Sequence, residues 1–262
     1  MVLDSIGFSA TAPSTGAAAA AYSGDSLTFR NALPGSKIRI LSHWAMHQTA
    51  GTQQIIIPSG HDTTRNYLAV VPAALPTPLA PMGWPWLVNP QDPMTITIVG
   101  SATAGDIEIG HLLVAYEDLP GISGRYISPA DMESRAKHIL TVQATIAAGT
   151  GGGWTGSEAI NAESDLLKAN TDYAILGMVN RVACGAIGIR AADFGNLRVS
   201  IPGNPANPEI TREWFVDLSN DFGLPLIPVF NSANRANVLI DASQDENGAD
   251  PIIALNLVEL AS

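Results

Sequence analysis

Cysteine occurs once in 262 residues, at Cys184. A lone thiol excludes an intrachain disulfide, and with it the stapled secreted scaffolds, and it fits a reducing site of synthesis. Its apolar setting, VNRVACG, makes it a small core residue. Charge is scarce too: 14% of residues are Asp, Glu, Lys or Arg, against ~25% in an ordinary globular chain. A monomer covers its surface with charge, so the deficit points to a surface that meets other protein. Basic residues are fewest, 13 Lys and Arg against 24 Asp and Glu, for a net charge of −11. No basic run exists, so a direct grip on nucleic-acid phosphates is not expected. Apolar runs of membrane-spanning length are missing. The start, MVLDSIGFSATAPSTGAAAAAYSG, has no basic leader and is broken by Gly7, Pro13 and Gly16, so it is not expected to act as a signal peptide.

What the chain has is apolar residues (46%) with 24 Gly and 18 Pro. That mixture predicts a sizeable core, many turns and few long helices. It also has a repetition. HDTTRNYLAV from His61 and PEITREWFVD from Pro208 share Thr-Arg-x-aromatic-apolar, and each follows an Ile-Pro turn at Ile57 or Ile201. The correspondence extends both ways. LDSIGFSATAPSTG from Leu3 resembles LTVQATIAAGTGGG from Leu140, and LTFRN from Leu27 resembles LLKAN from Leu166. Ser101-Ala102 matches Ser232-Ala233, and LLVAYEDL ending at Leu119 matches IALNLVEL ending at Leu260. Blocks in one order predict a tandem duplication.

In the second half, strands are predicted over Ile139–Ala147, Glu163–Asn170, Tyr173–Val182, Gly185–Arg190, Asn196–Ile201, Leu224–Phe230, Ala236–Asp241 and Pro251–Leu260. They are short, rich in Val and Ile, and bounded by turn residues. Asn247-Gly248 suits a tight hairpin turn. The repeated block reads as a helix: Asn207-Pro208-Glu209 supplies cap and first turn, and Ile210, Trp214 and Leu218 share one face. The first copy, with Tyr67 and Val71 on one face, is predicted to be helical as well. Arg65, Tyr67, Arg212 and Trp214 are then helix anchors, the aromatics facing apolar neighbours and the arginines pairing with carboxylates or carbonyls. Ser128-Pro129 opens a linker helix to about His138. The expected division is 1–125, 126–138 and 139–262, all-β, with two tandem β-sandwiches of jelly-roll type. The first half carries a Pro-rich insertion, 72–93, with Trp84, Trp86, Leu87 and Val88. It reads either as a lid over its own core or as an assembly contact, because exposed Trp-rich loops are liabilities until a partner covers them.

Chemistry is hard to find. His43 and His47 are four apart and share a strand face, with His61 and His111 elsewhere, but neither His-Glu-x-x-His nor His-x-His occurs. DASQDENGAD from Asp241 fails the calcium-loop spacing and reads as a solvated hairpin tip. GTGGGWTG from Gly149 lacks the Lys-Ser/Thr of a phosphate loop. No catalytic residue, metal or cofactor is predicted.

Two jelly-roll-like units in tandem, a helix between the sixth and seventh strands of each, few charges and no active site resemble the double jelly-roll major capsid proteins of tailless icosahedral viruses and bacteriophages. The resemblance rests on architecture over the whole chain, without a short diagnostic motif. It implies a structural virion protein, not an enzyme, made in the host cytoplasm. Its homotrimers form pseudo-hexagonal tiles, and its partners are further trimers, vertex or penton proteins and, in the many members that carry one, an internal membrane. The 72–93 insertion falls where that family builds trimer contacts. Two other classes stay open: a virion spike, fibre or carbohydrate-binding sandwich, with Trp84, Trp86 or Trp154 stacking on sugars, and a two-sandwich metalloenzyme using His43, His47 and His61.

Overall fold

The structure is a computed structural model describing residues 1–11, 17–22, 24–30, 32–47, 53–58, 66–71, 77–78, 86–88, 96–99, 107–147, 149, 151–160, 166–204, 206, 208–244 and 249–261. It is mostly β, its principal ladders antiparallel. The first half forms two sheets. One runs β3 (Ala20–Ala21), β1 (Val2–Thr11), β10 (Ile107–Tyr116), β4 (Ile38–His47), β7 (Thr77–Pro78), with β8 (Trp86–Val88) also on β4. The other runs β2 (Ala17–Ala18), β9 (Thr97–Val99), β5 (Gln53–Pro58), β6 (Asn66–Val71). The second half repeats the arrangement of two sheets. One runs β11 (Tyr126–Ile127), β18 (Ile227–Asn231), β15 (Asp172–Asn180), β20 (Ile252–Leu260), β12 (Ala136–Thr145). The other runs β13 (Gly153–Trp154), β19 (Leu239–Gln244), β16 (Cys184–Arg190), β17 (Arg198–Gly203), with β14 (Glu158–Ala159) also on β19.

Burial patterns show how these sheets pack. In β20, Ile253, Leu255 and Leu257 are fully buried, while the alternate residues Ile252, Ala254 and Asn256 are only partly covered. That alternation marks a sheet with one buried face. Strands β1 and β10 do not alternate: Val2 to Phe8 and Glu108 to Tyr116 are buried without a break. One face of that sheet, with Val2, Ile6, Phe8, Ile38, Ile40, Leu112 and Val114, packs in the first-half core. The other, with Leu3, Leu41, Trp44, Leu113 and Ala115, joins the second-half core. The two halves therefore meet sheet against sheet.

Helix α1 (Pro129–Arg135) starts at Ser128, whose hydroxyl accepts from Asp131 N–H, and stops where β12 begins, short of the expected His138. Between β17 and β18 lie α2 (Pro208–Arg212) and α3 (Trp214–Phe222), the latter closed by Gly223 in the left-handed conformation. α2 lies directly on β15, and Gly177 makes that approach possible: a Cβ there would stand 2.1 Å from Thr211 O and 2.7 Å from Arg212 O. Gly177→Ala is expected to push the helix off the sheet and cost on the order of 1–3 kcal/mol, read as a lowered urea midpoint. An unchanged midpoint would show that α2 yields freely.

Three expectations are corrected. The first-half repeated block is not helical where it is described: Asn66–Val71 is strand β6, paired with β5 from Ile55↔Ala69 to Pro58↔Asn66. NYLAVV ends in β-branched residues and lies beside the Ile-rich QQIIIP, so pairing overrides the weak helical period. The tract around Leu166–Asn170 is not a strand; Asn170 takes a positive φ of 49° and Lys168 N–H donates to the Tyr173 hydroxyl at 2.9 Å. Part of the Pro-rich insertion is not loop: Trp86–Val88 pairs with Ile38–Ile40. Asn247-Gly248, Asn207, Arg65 and Trp84 lie outside the described residues. No described helix is long and apolar enough to cross a membrane.

Candidate functional site

The densest set of buried polar and aromatic contacts among the described residues is the seam where the first-half sheet β1–β10–β4 meets the second-half sheet β13–β19–β16–β17. Its centre is aromatic. Trp44, fully buried on β4, donates its indole N–H to Gly185 O on β16 at 2.8 Å. Its ring stacks on His111 of β10 at 5.5 Å between centroids and meets the edge of Trp214 of α3 at 6.1 Å. Gly185 must be small: a Cβ would stand 2.8 Å from Ile109 and 3.3 Å from His111 Nε2. His111 Nε2 lies 3.1 Å from Ser243 Oγ on β19, which donates to the Tyr22 hydroxyl at 3.1 Å.

Beside the aromatics runs an ionic chain. Asp25 accepts from Gly7 N–H and from the Trp154 indole, both at 2.9 Å, and pairs with Arg198 at 2.8 Å. Arg198 reaches on to Asp241 at 3.1 Å, and Arg190 joins the same oxygen at 3.2 Å. The Arg198 guanidinium also covers the Trp154 ring at 4.1 Å, a cation–π contact shielded from water. Ser5 and Ser200 hydroxyls join the sheets further along. At the rim, Asp4 pairs with Arg30 at 2.6 Å and lines, with Asp25, Thr28 and Phe29, a cleft of about 340 Å³.

Burial governs the titration of these groups. It pushes Asp4 up to about 6 against the opposing pull of Arg30. It raises Asp25 and Asp241 as well, more than their arginines lower them. It holds His111 down to about 3, helped by Arg198, and His43 down to about 4. Two carboxylates and two guanidiniums neutralise one another along the chain from Asp25 to Arg190. Such a network adds little net stability but penalises any misdocking that leaves one charge unpaired. No nucleophile stands beside a free base here; the arrangement fixes two sheets against each other.

His43 pairs in register with Leu112 and His111 with Trp44, so the two histidines lie on opposite faces of one sheet. No group of three His, Cys, Asp or Glu able to hold a metal occurs among the described residues. His61 lies outside them. Asp241, from the acidic stretch read as a hairpin tip, is fully buried in the seam. No protein-family model matches the chain, and no curated protein does. Among solved structures, the crystal structure of PBSX exported protein XepA aligns over 98% of this chain and 86% of that one. Its TM-score is 0.28 and its identity 7%; at that score the likeness carries no argument.

Trp214 is buried on α3, whereas Arg212 is exposed and its side chain pairs with no described carboxylate. Tyr67 stands in β6 rather than on a helix. Trp86, Leu87 and Val88 lie in β8 on β4. Sequence reasoning missed Trp44, Tyr22, Asp25 and Arg198, and named His111 and Asp241 without placing them in the seam. The available signal was IRILSHWAMH and IEIGHLLVAY, near-continuously apolar runs of the kind that mark strands covered on both faces.

Proposed function

We propose that the chain is a major capsid protein: two jelly rolls in tandem that form homotrimers and tile an icosahedral shell. The strand order carries the reading. With β3, β8, β11 and β14 set aside and the equally short β2, β7 and β13 kept, the strands of each half rank by sequence as first-eighth-third-sixth in one sheet and second-seventh-fourth-fifth in the other. That order is the one a jelly roll would give, and finding it in both halves supports the reading of a duplicated roll. The ladders adjust the sequence alignment by one residue. With the closing strands matched at the offset of Leu119 and Leu260, Gly110 falls on Pro251; Phe8 opposes Gly110 and Ile146 bonds to Pro251, which puts Leu3 on Thr141 rather than Leu140. A one-residue slip exchanges faces, which makes the adjustment matter.

Helices α2 and α3 lie between the fifth and sixth strands of the second roll, not between the sixth and seventh as the resemblance implied, so the support comes from the strand order and the side-by-side seam. Residues 1–125 and 139–262 are then the rolls, and 126–138 is the linker that contains α1. Trp84, Trp86, Leu87 and Val88 remain the proposed assembly contact of the first roll. Its setting is the virion, its partners further copies, vertex proteins and, where one exists, an internal membrane; the chain performs no catalysis. The carbohydrate-binding reading is weakened at Trp154, whose indole is covered by Arg198 and bonded to Asp25. Light scattering and negative-stain imaging of the purified chain test the proposal. Particles of three chains, or tiled sheets and shells, are expected; a monomer at all concentrations, or a glycan binder that never tiles, refutes it.

A further inference from the structure

We propose that a cleft at one end of the second-half sheet β18–β15–β20–β12 binds a phosphate group, either free or carried as an ester on a small polar molecule. The proposal does not depend on the capsid reading. The cleft holds about 470 Å³ and lies where four strand ends converge: β12 begins there, β20 ends there, β15 begins at Asp172 and β18 ends at Asn231. That volume is ordinary for a small-molecule site. Lys137, Lys168, Asn170 and Asn231 bring side-chain N–H donors to its wall.

Charge selects the ligand. The chain has 13 Lys and Arg and a net charge of −11, yet Arg125, Arg135, Lys137 and Lys168 gather at this one end. Arg125 grips both oxygens of Asp172 and reaches Asp193 at 3.5 Å, while Arg135 approaches Asp172 at 3.8 Å. Lys168 spans the two oxygens of the buried Glu259 at 2.8 and 2.7 Å. Lys137 is exposed and has no hydrogen-bond or ion-pair partner among the described residues. Four cations thus meet three carboxylates, with His138 beside them. The titration of the carboxylates reports the same surplus. Lys168 holds Glu259 below its ordinary range, with Lys137 and His138 adding to the pull, and Arg125 does the same to Asp172 with Asn231 and Arg135. Asp4, Asp25, Asp217 and Asp241 all move the other way, raised by burial. A positive end on an acidic chain draws anions. Lysine ammonium groups are compact point charges that suit a phosphate dianion. Two protons of Lys168 are engaged by Glu259, which fixes the ammonium in place and leaves its third proton for a ligand.

The test is isothermal titration calorimetry of the full chain at neutral pH and low ionic strength, with inorganic phosphate and glucose 6-phosphate as probes. Both should bind saturably, with a Kd on the order of 1 mM. Tighter binding of the ester assigns the rest of the cleft to its sugar, and equal binding assigns the free ion. Lys137→Glu should weaken both by on the order of tenfold. Arg181→Glu makes the same charge change at the opposite end of β15 and should leave both affinities as they are. Should Lys137→Glu perturb the fold, Lys137→Ala carries the same test. Absence of saturation, equal losses in the Lys137 and Arg181 variants, or full competition by chloride at matched ionic strength overturns the site. None of these outcomes bears on whether the chain forms trimers or shells, so the site and the capsid reading fail separately.

Discussion

Trp44→Ala is expected to destabilise the protein by on the order of 3–5 kcal/mol, the cost of emptying a fully buried aromatic site. Three contributions converge at this residue. Its ring fills the seam between β4 and β16, it stacks on His111, and its N–H satisfies Gly185 O. The alanine variant leaves that carbonyl without its donor and leaves His111 without its stacking partner. Trp44→Phe separates the terms: it keeps much of the ring and loses the hydrogen bond, for a loss of about 1–2 kcal/mol. Urea unfolding followed by far-ultraviolet circular dichroism measures both. The wild type should unfold in one transition because the sheets share a face; in Trp44→Ala the halves should separate into two transitions. A variant with the wild-type midpoint would show that the seam does not depend on this indole.

Much of the second half was legible because its strands announce themselves. Seven of its predicted strands fall on β12, β15, β16, β17, β18, β19 and β20, each bounded by the Gly, Pro, Asn or Asp that ends it. The helical block was legible for the same local reason, Pro208 opening α2 and Gly223 closing α3, but the break at Glu213 that divides it into two helices was not. The first half was harder. Asn66–Val71 carries both a weak helical period and a strong β composition, and only the Ile-rich strand beside it decides between them. The seam was least legible. Tyr22 and Ser243, or Asp25 and Arg198, are far apart in sequence and carry no motif. A buried ion pair of this kind is a property of the docked sheets, and local patterns contain no trace of it.

The acidic stretch from Asp241 illustrates the same limit. Its composition suggests a solvated tip, yet Asp241 takes its place in β19 opposite Gly188, under Arg190 and Arg198. Arg190 on the neighbouring β16 and Arg198 on β17, one strand further, make the carboxylate tolerable there; the sequence shows the carboxylate without showing what covers it. With Asp25 at the other end of the same arginine, register between the sheets is set by charge as well as by shape. Sliding the sheets by one residue would strand Asp25 and Asp241 without partners, at a cost of several kcal/mol.

Acid should weaken the fold between pH 6.5 and 4, and the sign follows from the buried histidines. His111 titrates ordinarily at 6.5 and is held to about 3 in the fold; His43 is held to about 4. Below pH 6.5 the unfolded chain therefore takes up protons that the folded chain refuses, and stability falls until the folded values are reached. By pH 4 each histidine contributes a loss of roughly 3 kcal/mol. Asp4 acts in the opposite sense. Its folded value of about 6 lies above the ordinary 3.8, so the fold takes up that proton first and gains roughly 2 kcal/mol over the same interval. Asp25 and Asp241, also raised by burial, add to that gain. The net loss is thus a small difference between large terms, and single substitutions should expose each one. His111→Gln keeps a polar group near Ser243 Oγ and removes the titration; its stability should fall less with acid, by roughly 3 kcal/mol at pH 4. Asp4→Asn removes the compensating gain and should make the acid loss steeper by that amount. Urea midpoints measured from pH 7.5 to pH 4 decide the matter. If the His111→Gln profile runs parallel to the wild type, His111 is already free to protonate in the fold and the seam is wetter than its packing implies.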